Sequence, residues 1–292
     1  MWSQLLINII LATSIYLLVA VSYYNIYTAT KEFSLSQAIT ISIAPYILYC
    51  FQFQLGLSTI ISILLSIFFS IVIGIIPEIL IYRHLRKKNA NSFFILLASL
   101  GYYIIAQNCI SMIWGDDIKS IRIGEVKIGH QLIDAYITDI QILTIIISTI
   151  IFVLWALFIK KHRIGRMIRA VSNNTELCDI LGINSNKVIL FAFVISSVLA
   201  AIAGILVAYD TDITPSMGFN LLFYGVVAMI IGGVGSIWGI VLGALLLAIS
   251  QHLIAYYIGS QWMEAIAYAI LILFLLWKPL GFAGRRLKKV EI

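Results

Sequence analysis

The chain has 292 residues, of which 62% are hydrophobic and only 11% charged, where a soluble globule carries charge at roughly a quarter of its positions. A bilayer-crossing helix needs about 20 apolar residues, so the apolar total permits at most about nine crossings and leaves too little chain for a large extramembrane enzyme domain. The net charge of +6 and mean hydropathy of +1.04 therefore describe a polytopic membrane protein whose charges report topology, not a nucleic-acid surface.

The first apolar run, residues 5–24, has no Lys or Arg ahead of it, unlike a cleaved signal peptide, and reads as a retained span. Further runs lie at 34–50, 57–82, 93–113, 139–159, 189–208, 221–231, 240–258 and 265–277, the second and seventh being weak or short. The expected fold is all-α: one transmembrane domain over 1–292, a bundle of about 8–9 spans with short or re-entrant segments. Fifteen of the 19 basic residues fall in three connections, 83–92, 160–187 and the tail from Lys278, which places those connections in the cytoplasm. Nine crossings then put Met1 outside, and a re-entrant 34–50 would flip it. Cys50, Cys109 and Cys178 have no spacing that suggests a disulfide framework or a zinc site, so neither metal nor cofactor is expected.

Span interiors are nearly free of ionisable groups, which usually mark ion or proton pathways. The exception is Glu78, after Pro77 at the cytoplasmic end of the third span, where a helix-end ion pair with Arg83 is expected. In the fourth span Gln107 and Ser111 share a face and Asn108 adjoins them; they either bond between helices or line a polar path. The outside loop 115–138 alternates Ile121, Ile123, Val126 and Ile128 with polar residues around Gly124 and Glu125, the pattern of a small hairpin.

The cytoplasmic loop 160–187 contains its own helix signals. Asn173 is placed to cap, Glu176 to answer it, and Gly182 to end a helix over about 174–181. About eight residues span only ~12 Å, and the helix carries Leu177, Cys178, Ile180 and Leu181. It packs either on its own span ends or as a knob in a groove of a cytoplasmic partner. Ser196, Ala200, Gly204 and Ala208 form a small-residue ridge in the sixth span, and Gly235, Gly239 and Gly243 repeat it after Gly232 and Gly233. Such ridges allow close helix approach. A half-helix of about 16 Å over 221–231, running into glycines, can also expose backbone groups to a substrate. No Gly-Lys dipeptide exists to hold phosphates, so ATP-driven transport would require another polypeptide.

These features together resemble the integral membrane permease of the branched-chain amino acid family of ABC importers. Thr214, Pro215, Ser216, Met217, Gly218, Phe219 and the run from Gly232 to Gly239 are similar to that family's Pro-x-x-Gly-Phe segment and Gly-Gly-x-Gly-Ser-x-x-Gly turn. Arg169, Ala170, Val171 through Glu176, Leu177, Leu181, Gly182, Ile183 and Asn184 resemble its cytoplasmic loop, and the stretch from Glu78 to Arg86 resembles the end of an early span. Leu100, Gly101, Gln107, Asn108, Trp114 and Gly115 resemble the following span. The departure is at Glu32, Phe33, Ser34, Leu35, Ser36, where the family typically reads Asn-Phe-Ala-His-Gly.

The resemblance implies a non-enzymatic, multi-pass subunit of the bacterial inner (plasma) membrane that forms the path for branched-chain or other aliphatic amino acids. Its implied partners are two cytoplasmic ABC ATPases, a second permease subunit, homologous or identical, and an extracytoplasmic substrate-binding protein. The ATPase-coupling loop would be Arg169, Glu176, Leu177, Leu181 and Gly182. The path would use Gln107, Asn108, Pro215, Met217, Gly218, Gly232, Gly233 and Gly235. Urea or short-amide ABC permeases, a stand-alone secondary carrier and a non-transporting scaffold are the competing readings; the scarcity of carboxylates in the span interiors, Glu78 apart, speaks against the carrier.

Overall fold

Long apolar runs without internal charge become helices because only helices satisfy their backbone polar groups within one segment in lipid. The computed structural model describes residues 2–122, 129–132, 135–278 and 281–283. In chain order it contains α1 (Trp2–Thr30), α2 (Gln37–Tyr49) continuing as a π-helical turn (Cys50–Gln54), and α3 (Thr59–Pro77), which continues through a second π-helical turn (Glu78–Tyr82) into α4 (Arg83–Lys87). Then follow α5 (Ser92–Trp114), strands β1 (His130–Leu132) and β2 (Ala135–Ile137), α6 (Asp139–Lys161), α7 (Arg163–Asn173), α8 (Thr175–Ile180), α9 (Ser185–Asp210), α10 (Met217–Gly232), α11 (Ile237–Tyr257) and α12 (Met263–Trp277). Among the described residues, 7 segments are long and apolar enough to cross a membrane: Trp2–Thr30, Thr59–Lys87, Ser92–Trp114, Asp139–Lys161, Ser185–Asp210, Ile237–Tyr257 and Ser260–Trp277. The seventh expected run begins earlier than its hydropathy suggested, because Met217 to Asn220 continue the helix upstream; α10 has 16 residues, about 24 Å.

The chain divides into two compact units, one of Met1–Tyr24, Lys127–Lys161 and Tyr224–Ile292, the other of Asn25–Val126 and His162–Phe223. The second unit is organised around α2, whose residues 37–48 are all buried and which packs on α3 and α9. Small residues make this wrapping possible. Ser62, Ser66, Ser70 and Gly74 recur every four residues along α3, all buried, and Ser66 donates to the Ala44 carbonyl at 2.5 Å. On α9 the expected ridge is wholly buried, and a Cβ on Gly204 would overlap the Ile41 carbonyl. This ridge is thus a close-packing surface.

In the first unit, α10 crosses α11 at glycine: a Cβ on Gly232 or Gly239 would run into the other's backbone, and one on Gly243 into the Ala228 carbonyl. Gln4 donates to the Tyr136 carbonyl at 3.1 Å and accepts from the Tyr136 N–H at 2.8 Å, so the first turn of α1 and strand β2 lie at one face. The two strands pair antiparallel with His130 opposite Ile137 and Leu132 opposite Ala135. That hairpin sits downstream of the alternating stretch centred on Gly124 and Glu125; residues 123–128 lie outside the described residues.

Candidate coupling surface and translocation path

The loop 160–187 folds as two short helices, α7 and α8. Asn174, not Asn173, caps α8, its side chain accepting from the Leu177 N–H at 2.9 Å. The cap lies one residue later than expected because Asn173 ends α7. Glu176 consequently stands in the first turn of α8, where a carboxylate suits the helix dipole. At the other end Gly182 has φ of +80°, the Gly182 N–H bonds the Asp179 carbonyl at 3.0 Å, and the Ile183 N–H bonds the Cys178 carbonyl at 2.9 Å. This paired closure needs a left-handed residue, hence glycine. Cys178 is buried, and Ser185 donates from its N–H to Asp179 Oδ1 at 3.0 Å and from its hydroxyl to the Thr175 carbonyl at 3.2 Å. The loop is therefore anchored to the start of α9. Beside the exposed Glu176 and Asp179 it presents three bare aliphatic side chains: Leu177 is 51%, Ile180 81% and Leu181 70% exposed. Helix α7 was hidden in a run read only as basic; Gly165, Ile168 and Val171 bury one face while Arg163, Arg166 and Arg169 are exposed on the other.

Glu78 forms its ion pair with Arg86 instead of Arg83. The same guanidinium reaches Glu32 at 3.2 Å, so a single arginine serves two carboxylates whose side chains are 11% and 2% exposed. Burial raises the Glu32 carboxyl above its ordinary value, and the charge and hydrogen bond of Arg86 pull it part of the way back. At this end of α2 the chain also carries a hydroxyl network. Ser34 Oγ bonds Ser36 Oγ at 2.8 Å and Tyr82 Oη at 2.9 Å, and the Leu35 N–H donates to Ser99 Oγ at 3.0 Å.

The residues expected along a path fall into three settings. Pro215, Met217 and Gly218 are buried against α2: Ser42 Oγ donates to the Pro215 carbonyl at 3.1 Å and accepts from the Gly218 N–H at 2.9 Å. A side chain on Gly218 would meet the Ala38 carbonyl. Gly232 and Gly233 are buried in the turn that leaves α10, and Gly235 is exposed; Gly233 and Gly235 have φ of +92° and +106°. This turn is held by the segment after α12, whose Phe282 and Ala283 N–H groups bond the Ile231 and Gly232 carbonyls at 2.9 and 3.1 Å. Gln107 and Asn108 differ from both groups. Asn108 is exposed on α5 and donates only to its own helix, at the Ile104 carbonyl, 2.7 Å; Gln107 is half-buried and makes no side-chain hydrogen bond among the described residues. A tilted ring contact between Tyr103 and Phe219, 5.2 Å between centroids, joins α5 to the start of α10, where Asn220 follows. That exposed amide in an apolar helix was not singled out from sequence. The signal was available as an uncharged polar residue at mid-run.

Comparison with known proteins decides the family. The description "Branched-chain amino acid transport system / permease component" matches residues 5–276. The high-affinity branched-chain amino acid transport system permease protein BraD of Pseudomonas aeruginosa is 30% identical over 97% of this chain and 95% of its own length. The chain belongs to the branched-chain amino acid transport system permease family. Its permease relatives include LivH of Escherichia coli K12, 32% identical over 70% of this chain and 67% of LivH. Among solved structures, PsaBC from Streptococcus pneumoniae in complex with Fab shares the fold, with a TM-score of 0.52 at 14% identity, covering 94% of this chain and 92% of that one.

The hydroxyls of Ser34 and Ser36 tie the entry of α2 to Tyr82 on the second π-helical turn. The π-helical turn itself brings Glu78 and Tyr82 inward together. Like other polytopic permeases of its family, the protein resides in the inner membrane.

Proposed function

We propose that this protein is the transmembrane permease component of an ABC importer for branched-chain amino acids, driven by separate ATPase subunits that dock on α7 and α8. Family membership across nearly the whole chain supports the transport role. The observation that carries the coupling assignment is the apolar outer face of α8, anchored at its base and bare on its solvent side. A rigid knob of this kind transmits displacement, because its cap, its closing glycine and its ties to α9 leave little internal slack. Arg169, Glu176, Leu177, Leu181 and Gly182 are assigned to that surface. Two ATPases, a second permease chain and an extracytoplasmic binding protein complete the assembly.

The path is assigned to the exposed face of α5 and the start of α10, where the amides of Gln107, Asn108 and Asn220 stand in otherwise apolar helices. Gln107 and Asn220 have no side-chain hydrogen bond among the described residues and Asn108 bonds only within its own helix, so their remaining polar atoms call for water, cargo or another subunit at membrane depth. Pro215, Met217 and Gly218 fix the start of α10 on α2, and Gly232, Gly233 and Gly235 set its end. The test is uptake by the complete transporter in proteoliposomes. Leucine, isoleucine and valine are expected to compete with one another for ATP-dependent entry, and urea is expected not to compete. Competition by urea at equal concentration would move the protein to the short-amide class.

A further inference from the structure

The second unit holds a cavity of about 490 Å³ between α2, α3 and α5. Its floor is Ile39, Ile43 and Ile47, one flank of α2, each almost wholly buried. Its mouth lies between α3 and α5, at Ile105 and Cys109, which are exposed. All of its lining is apolar side chain or cysteine. Beside it the rings of Tyr46 and Trp114 lie 5.5 Å apart and Tyr102 Oη donates to the Ile73 carbonyl at 3.0 Å, contacts that tie α5 to α2 and to α3. Asn108 adjoins the mouth. It occupies the same exposed face of α5 as Ile105 and Met112, three residues before and four after. Its Nδ2 is engaged with Ile104, and among the described residues nothing donates to its Oδ1.

We infer that this cavity is a station for the cargo within the permease: the branched aliphatic side chain enters it while Asn108 Oδ1 accepts from the α-ammonium group. This rests on the proposed transport of branched-chain amino acids and adds a place where the membrane subunit itself reads them. The division into an apolar chamber and one polar handle is the usual form of a small-ligand site. A lipid tail is the other apolar occupant. Two features favour cargo. The floor is α2, the helix of this unit that is buried along its length, which a groove shaped for peripheral lipid has no need to reach. The handle beside the mouth is an amide, which hydrocarbon leaves unsatisfied and an ammonium group satisfies.

The native cysteine at the mouth supplies the test. The complete transporter in proteoliposomes is labelled with a maleimide, and the rate at Cys109 is read by peptide mass spectrometry with and without leucine during turnover. Leucine is expected to slow labelling at Cys109 several-fold, and glutamine, handled at equal concentration, to leave it unchanged. A second arm grades cavity size through Ala106, which lines it: Ala106→Val and Ala106→Phe are expected to lower leucine uptake progressively, by about tenfold for the ring, a factor of ten being one step of about 1.4 kcal/mol. Leucine-independent labelling together with unchanged uptake in Ala106→Phe overturns the inference. Labelling that follows lipid acyl composition and not leucine overturns it in favour of a lipid groove. Absence of branched-chain amino acid uptake in the unaltered transporter instead defeats the function on which the inference rests.

Discussion

Truncating the outer face of α8 separates docking from folding, because the side chains concerned touch little of their own protein. Leu177, Ile180 and Leu181 are 51%, 81% and 70% exposed, which together amounts to about two aliphatic side chains left bare. Burying one such side chain is worth about 1.5–3 kcal/mol. Docking through the whole face can thus supply roughly 3–6 kcal/mol, and Ile180 alone, at its exposure, somewhat under 2. Ile180→Ala is expected to weaken ATPase binding about tenfold and Ile180→Ala with Leu181→Ala about a hundredfold, at 1.4 kcal/mol per factor of ten. Alanine preserves helix propensity, and exposed truncations change stability by about 0.5 kcal/mol or less, so the melting temperature of the permease is expected to stay put. The assay is titration of the purified ATPase onto permease held in nanodiscs, with a thermal melt run on each variant. Dissociation constants within twofold of the unaltered protein, with melts unchanged, would refute the assignment of α8 as the docking knob.

Further predictions follow from packing and charge. Arg86→Met leaves two nearly buried carboxylates without their cation and is expected to destabilise the protein by about 3–5 kcal/mol; adding Glu32→Gln and Glu78→Gln is expected to restore part of the loss, and a neutral melt for Arg86→Met alone contradicts the shared ion pair. Gly204→Ala and Gly218→Ala each push a methyl into an α2 carbonyl and are expected to cost about 1–3 kcal/mol, whereas Gly101→Ala, with open space around it, is expected to gain about 0.5–1 kcal/mol from helix propensity. Equal melts for the three variants would remove the case for close approach to α2. Asn174→Ala deletes the α8 cap and is expected to cost about 1 kcal/mol locally, visible as faster hydrogen exchange at the Leu177 amide.

What could be read from the chain and what could not divide along physical lines. Span placement depends on apolar length, a property of each segment alone, and the main helices fall where the hydropathy runs are. The end of α8 at Gly182 was legible because a left-handed closing residue is a local requirement. The partner of Glu78 was not. At 3.6 residues per turn Arg86 lies about 80° round the helix from Glu78, and only the wider π-helical turn between them swings it onto the same side. Glu32 was missed for a related reason: its place in the ion pair depends on contact with a residue 54 positions away. The serines of α3 were passed over because serine at four-residue spacing reads as mild polarity until α2 is found lying against it. Helix α7 escaped because its buried residues, Gly165, Ile168, Val171 and Ser172, include only two large apolar side chains in a run dominated by arginine.

The source of energy distinguishes an ABC permease from a carrier acting alone, and one reconstitution measures it. Radiolabelled leucine uptake is followed in proteoliposomes carrying this permease, with and without its ATPases, binding protein and ATP, and separately under a proton or sodium gradient. Uptake that requires the ATPases and ATP and ignores the gradients is the predicted result. Leucine accumulation driven by a gradient in vesicles holding the permease alone would contradict the account.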